Sequence, residues 1–288
     1  MTGRGFEVVA PTRDKLGESI LCHPVDKTLW WIDCFGPTVH RLDPRTGERM
    51  DLTIESAKLI GSLTFARGGR LILALDDAMV LFDPATGARQ TFSAPEAGRD
   101  AVAMNDSKVT RDGKALWAGS YDVGEVEPRG VLWRIGPDGT ATIGDAGFAV
   151  SNGPSFSPDG RILYFSDSMA RRVIAYEILG SRLGPRRILT TLSEEEGVPD
   201  GLTVDARGRI WCACYGGGRV LLLGPDGERL DELKVPATFV TSTCLGGEDL
   251  KTLYITTGQN PTPGEVDGAV FSCRVDVAGL PEPIFGVA

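Results

Sequence analysis

With 288 residues, 42% of them hydrophobic, the chain can bury a large core. Its formal charge of −9 comes without a basic stripe and argues against nucleic acid as a partner. No run approaches the roughly 18 apolar residues of a membrane-crossing helix. The opening MTGRGFEVVAPTRDKLGES has no apolar signal region, so a soluble, cytoplasmic protein with no membrane association is expected.

Taken in order, the chain first offers a strand-like segment, FEVVA, and then a repeat. Units begin at Leu29 (LWWIDCFGPTVHRLDPRTGE), Leu71 (LILALDDAMVLFDPATGA) and Leu116 (LWAGSYD, then GVLWRIGPDGT). Three more begin at Leu163 (LYFSDSMARRVIAYEI), Ile210 (IWCACYGGGRVLLLGPDGE) and Leu253 (LYITTGQ, then GAVFSCRVD). Successive starts lie 42 to 47 residues apart, the period of a four-stranded propeller blade. Each unit is preceded by a short apolar strand and a Gly- and Asp-rich turn such as ARGGR, TRDGK or SPDGR. DPRTG, DPATG, GPDGT and GPDGE place Pro and Gly where turns demand them. The only helix-like candidate, LSEEEGVPD, is short and broken by Gly and Pro. These signals predict an all-β, six-bladed propeller of four-stranded antiparallel blades around a central channel, with residues 1–288 as one domain. FEVVA is expected to join the last blade and close the ring, which suits a monomer because few sheet edges remain exposed.

Chemistry on a propeller gathers where the innermost strands open at the channel mouth. Stepping back nine to twelve residues from each unit start gives Glu18, Ser62, Asn105, Asn152, Asp200 and Ser242 or its neighbour Thr241. All carry oxygen, and two carboxylates with two amides suit a hard divalent cation. Glycine follows Asn152 and Asp200, which permits close backbone approach. Asp and Asn also open strands simply as turn formers. The cysteines form no C-x-x-C pair, and His23 and His40 are the only histidines, so zinc ribbons and His-based triads have little to work with.

LGES, LWWID and HRLDP near the start, NDSKVTRDGKALWAG, SNGPSFSPDGRILYFSDS, GVPDGLTVDARGRIWCACYGGGRV and TSTCLGGEDLKTLYITT together resemble the gluconolactonase/regucalcin (senescence marker protein) family over nearly the whole chain. The resemblance implies a six-bladed propeller with one metal held by Glu18, Asn152 and Asp200, and with Asn105 holding water or substrate. Members are typically lactonases acting on aldonolactones with calcium, zinc, manganese or magnesium. This chain departs from the family pattern at Ala103, where many relatives carry Arg, at Ser107 in place of Gly, and at Cys22-His23 in place of Trp-Asp.

The expected reaction is therefore opening of a sugar lactone to its acid, with the metal as Lewis acid and Asp200 as general base. Asp106, Asp122 and Tyr121 lie on segments able to reach a polyhydroxylated substrate, although Asp106 reads more readily as the cap of the turn next to Asn105. Arg171-Arg172 offers a contact for a substrate carboxylate, and Glu194–Glu196 a solvated loop. Trp30 and Trp31 read as core and blade packing, and Gly216-Gly217-Gly218 as a plain turn, since no helix or Lys-Ser/Thr follows. Ester or phosphotriester hydrolysis at the same site, or a non-catalytic calcium-binding role, are the competing functions.

Overall fold

The computed structural model describes residues 5–287 apart from positions 56 and 263. The chain opens with β1 (Glu7–Ala10) and enters blade 1 with β2 (Gly17–Cys22), β3 (Leu29–Asp33), β4 (Thr38–Leu42) and β5 (Arg49–Thr53). Blade 2 holds β6 (Ile60–Ala66), β7 (Arg70–Leu75), β8 (Ala78–Phe82) and β9 (Arg89–Ser93). Blade 3 holds β10 (Val102–Val109), β11 (Leu116–Asp122), β12 (Gly130–Ile135) and β13 (Ala141–Phe148). In blade 4, β14 (Ser151–Phe156) and β15 (Ile162–Asp167) lead to β16 (Arg172–Leu179), which pairs with both β17 (Arg182–Leu183) and β18 (Arg187–Thr191). Blade 5 holds β19 (Val198–Val204), β20 (Ile210–Tyr215), β21 (Arg219–Leu223) and β22 (Arg229–Lys234). Blade 6 has β23 (Phe239–Gly246), β24 (Thr252–Gly258) and β25 (Val270–Arg274), with β1 as its fourth strand. The expected six-bladed, all-β propeller is therefore present, and FEVVA closes the ring by pairing antiparallel with β25. The segment LSEEEGVPD forms a turn and the start of β19, and no α-helix occurs among the described residues.

Local chemistry assigns the turns to one end of the ring. In DPRTG, Asp43 Oδ1 accepts from the Arg45 N–H at 2.9 Å and Gly47 turns the chain at φ 75°. Asp83, Asp112, Asp159 and Asp205 repeat that Asx bond two residues on, so the lower face is built of short rigid turns. The links at the upper face, where the inner strands begin, vary more, from the tight 76–77 turn to the long 94–101 and 259–269 segments.

The core is the set of faces between neighbouring blades. The two tryptophans of LWWID point opposite ways, Trp31 toward blade 6 with Tyr254 and Trp30 toward Phe65 of blade 2. Both therefore pack between blades. No disulfide links the six cysteines, all of which are buried; Cys212 and Cys214 share the blade 4–blade 5 face.

The last residues do something the repeat does not foreshadow. After β25 the chain crosses the lower face, with Ala278 C=O accepting from Ala206 N–H in blade 5 and Phe285 exchanging backbone hydrogen bonds with Phe65 and Arg67 in blade 2. Midway, Glu282 meets Lys108 at 2.9 Å beneath the channel axis, and Phe285 is fully buried against Phe92.

Candidate active site

Each of the six inner strands breaks its register near its opening residue. The irregularities lie between Glu18 and Leu21, Ile60 and Ser62, Met104 and Ser107, Asn152 and Ser155, Pro199 and Leu202, and Val240 and Thr243. A bulge inserts an unpaired residue and re-aims side chains. Six bulges at one phase around an axis turn the start of every inner strand into the channel.

Small residues let the bulges meet. A Cβ on Gly153 would stand 2.5 Å from the Asp200 carbonyl oxygen, and one on Gly201 would stand 2.8 Å from the Ser242 Cα. Hydroxyls fasten the remaining seams. Ser62 Oγ donates to the Asn105 carbonyl at 2.9 Å and lies 2.7 Å from Ser107 Oγ, while Thr241 Oγ1 donates to the Gly17 carbonyl. Thus Ser62 and Thr241, placed at the mouth by phase, stitch blades together. Ser107, where the family pattern has Gly, is one half of such a stitch.

The carboxylate and amide positions converge. Asn105 Nδ2 donates to the Ser151 carbonyl at 2.9 Å and to Asn152 Oδ1. Asn152 Nδ2 donates to Ser168 Oγ at 3.1 Å, and that hydroxyl donates to the Pro199 carbonyl at 2.7 Å. The amide is thereby locked with its oxygen toward Asn105. Ser168 ends the SDS triplet and lies just past β15, and sequence reading passed over it. Asp106 is buried and its Oδ2 accepts from Gly153 N–H at 2.8 Å, so it pins blade 3 to blade 4 beside Asn152; it caps no local turn.

Glu18 and Asp200 are buried, and among the described residues Asp200 Oδ1 has no hydrogen-bond partner. Burial, then the charges of Asp200 and Asp106, hold the Glu18 carboxyl well above the usual range. Burial, then Asp106, Cys214 and Glu125, do the same for Asp200. Burial lifts Asp106 to about 6 against its hydrogen bond from Gly153 and the Lys108 charge. Three carboxyls sharing a buried site repel one another unless protons or a cation neutralise them.

No group of three or more His, Cys, Asp or Glu side chains stands at metal-ligating spacing among the described residues. The set that fits a hard cation is mixed: Glu18, Asp200 with its orphaned oxygen, and the Asn152 amide oxygen. Below it lies a cavity of about 20 Å³ lined by Ser19, Asp106, Gly153, Gly201 and Ser242, room for about one water. Lys108 also lines it and, held by Glu282, stoppers the channel from below.

Other expected contacts go elsewhere. Asp122 accepts from Val126 and Glu127 N–H groups at 3.1 and 3.0 Å and from Arg129 Nη1 at 2.7 Å, folding its own loop, so its oxygens are engaged and not presented to substrate. Arg171 Nη1 donates to the Gly197 carbonyl at 3.2 Å, and Glu196 pairs with Arg229 at 2.9 Å, so this loop is self-contained. His23 sits edge-on to Phe65, and His40 stacks on Trp31, both within blade packing. Ala103 packs with Tyr121 and Val150 into a small apolar wall.

Comparison with known proteins places this geometry. The sequence model of the SMP-30/gluconolactonase/LRE-like region matches residues 16–259. A 6-deoxy-6-sulfogluconolactonase of Pseudomonas putida is 33% identical over 94% of this chain and 94% of its own. A pentonolactonase of Haloferax volcanii is 32% identical over 95% and 96%. Among solved structures, a calcium-binding regucalcin of Agrobacterium tumefaciens superposes with a TM-score of 0.91 at 24% identity, covering 98% of each chain, which shows the shared fold.

Proposed function

This chain belongs to the SMP-30/gluconolactonase/LRE-like family, and from that membership we propose that it opens a sugar lactone using one divalent cation held by Glu18, Asn152 and Asp200. As a relative of named lactonases along almost its full length, it is a hydrolase of cyclic carboxylic esters. The observation that carries the metal reading is the orphaned Asp200 Oδ1 in a buried set of like charges. A buried polar atom without a partner costs roughly 1–3 kcal/mol, more when charged, so a site that keeps one has a use for it.

A cation at this set supplies Lewis-acid polarisation of the lactone carbonyl. Asp200 accepts the proton of the attacking water and returns it to the ring oxygen as the acyl C–O bond breaks, which leaves a hydroxy acid. Asn105 steadies the Asn152 amide by donating to it from Nδ2, and its side-chain Oδ1 orients water or a ring hydroxyl. Asp106 keeps Gly153 against the Asp200 backbone and so holds both ligand strands in register. The Ala103–Tyr121–Val150 wall favours a second reading, cleavage of a less polar ester or phosphotriester at the same centre.

The test is acid release from a panel of aldonolactones and aryl esters by chelator-stripped protein. Calcium, magnesium, manganese and zinc are restored singly, with Asp200→Asn and Ala103→Arg in parallel. Metal-dependent lactone opening that falls roughly 10²–10⁴-fold in Asp200→Asn is expected. Ester turnover without lactone turnover would transfer the site to the second reading. Metal uptake without turnover of either would point to a calcium-binding role, and absence of metal uptake would refute the ligand set.

A further inference from the structure

The blade 5–blade 6 side of the mouth is aromatic. Tyr215 ends β20 and Phe239 opens β23, and their rings pack with centroids 4.6 Å apart and planes inclined by 32°. Both remain partly exposed, whereas Trp211 and Ala213, on the same side of blade 5, are sealed in the core. Tyr215 pairs across the sheet with Val198, two residues before Asp200, and Phe239 lies two residues before Thr241, so both rings stand at the channel mouth beside the candidate metal centre. The pair therefore forms a rim between that centre and the surface beyond.

Beyond the rim lies an open cleft of about 520 Å³, within the roughly 300–1,000 Å³ of small-molecule sites. Its floor is the Gly216-Gly217-Gly218 turn, which continues directly from Tyr215; one wall is 235–238, running into Phe239, and the other is formed by Asn260, Thr262, Gly264, Val266 and Asp267 between β24 and β25. The parts are tied together. Gly218 N–H donates to the Thr238 carbonyl and its C=O accepts from Val235 N–H, both at 2.9 Å. Across the cleft, Asp267 Oδ2 accepts from Asn260 Nδ2 at 2.5 Å and Gly264 N–H at 2.8 Å. The result is an open recess lined by the 216–218 turn and by Thr238 and Thr262, and it borders Tyr215 and Phe239, the residues next to its lining in the chain. Aromatic faces accept the C–H surface of a sugar ring, while amides and hydroxyls match its OH groups.

We propose that this cleft receives a second sugar ring, so that the substrate is a glycosyl-aldonolactone, a disaccharide whose reducing-end unit is the lactone. The inference rests on the lactonase reading above and extends it. The lactone ring lies at Glu18, Asn152 and Asp200, and the linked sugar crosses Tyr215 and Phe239 to rest over Gly216–Gly218. Water cleaves only the ring ester; the glycosidic bond is untouched.

Cellobionolactone and lactobionolactone are compared with glucono-1,5-lactone on the metal-loaded protein, with Thr238→Trp and Thr238→Arg as cleft-filling variants checked for an unchanged Tm. The expected result is a kcat/KM at least about tenfold higher for the disaccharide lactones, and collapse of that ratio in both variants. Equal constants in the unmodified protein, or a ratio indifferent to both variants, would overturn the cleft assignment while leaving lactonase activity standing. If no lactone is opened at all, the parent reading fails, and titration calorimetry with cellobionate against gluconate then decides the cleft. Tighter cellobionate binding abolished by Thr238→Trp would uphold it, and equal affinities would end it.

Discussion

Asp200 and Asp106 show what single residues contribute here. A carboxyl whose pKa is raised on folding binds its proton more tightly in the folded state. Its contribution to stability is then full below the ordinary value and is lost as pH rises through the folded value. For Asp106 that window runs from 3.8 to about 6, a penalty of at most roughly 3 kcal/mol once ionised. Glu18 and Asp200 move in the same direction. Metal-free Asp200→Asn is therefore expected to be more stable than the metal-free parent at pH 7, with the advantage shrinking toward pH 4. Thermal melts in the presence of chelator measure this. Divalent cation at a hundredfold excess over Kd should stabilise the parent by about 2.7 kcal/mol and so offset that deficit at pH 7. A parent that melts higher than the variant without metal would show that the carboxyls are not in conflict. Gly153 is the other sensitive position. With φ 55° and no room for a Cβ, Gly153→Ala should cost roughly 2–3 kcal/mol and weaken metal uptake by displacing the Asp200 backbone, read by Tm and calorimetry.

At the scale of elements, the inner strand is the working part and the closing segment is a strap. Six register breaks at matched phase do what no single strand does: they bring Glu18, Asn105, Asn152 and Asp200 to one axis from four blades. The segment after β25 binds blades distant around the ring, with Phe285 as its anchor. Phe285→Ala is expected to lower stability by roughly 3–5 kcal/mol, measured by denaturant melts, because it empties a site walled by Ala66, Met104 and Leu116. Glu282→Ala tests the other half of the strap. It leaves the Lys108 ammonium, only 12% exposed, without its carboxylate and should cost roughly 3–5 kcal/mol, more than Glu282→Gln, which keeps a hydrogen-bond acceptor.

For the whole molecule the vulnerable point is where the ring closes. The link from β1 to β2 carries Asp14, whose carboxylate takes hydrogen bonds from Thr12 Oγ1 and Trp31 Nε1, both at 2.9 Å, and faces His40. His40 Nε2 stands 3.2 Å from Asp14 and Nδ1 stands 2.8 Å from Asp51, which also pairs with Arg49. Burial opposes charge on the imidazole, but the facing charge of Asp14 and the hydrogen bond and charge of Asp51 outweigh it and raise its pKa above 6.5. That stabilisation is fully present below pH 6.5 and is lost as pH rises through the higher folded value. The stability margin of the parent over His40→Gln should accordingly shrink from acid to alkaline pH, by roughly 1.5–3 kcal/mol for a charge-assisted pair. A margin independent of pH between 5.5 and 9 would remove the imidazolium from the closure.

The propeller was legible in the sequence because blade number, turn chemistry and strand alternation are local and recur every 42 to 47 residues. The same period indexed Glu18, Asn105, Asn152 and Asp200 to the mouth, since matched phase around a closed ring means a shared axis. What the period could not contain was decided by tertiary contacts between blades. Ser62 and Thr241 share the phase of those residues, yet their hydroxyls reach a neighbouring backbone and become stitches. Asp122 lies on a plausible strand, but its oxygens are consumed by three donors from its own loop. The strap, the Lys108–Glu282 stopper and the cleft beside Tyr215 join residues far apart in the chain, and such non-local proximity exists only once the ring has closed.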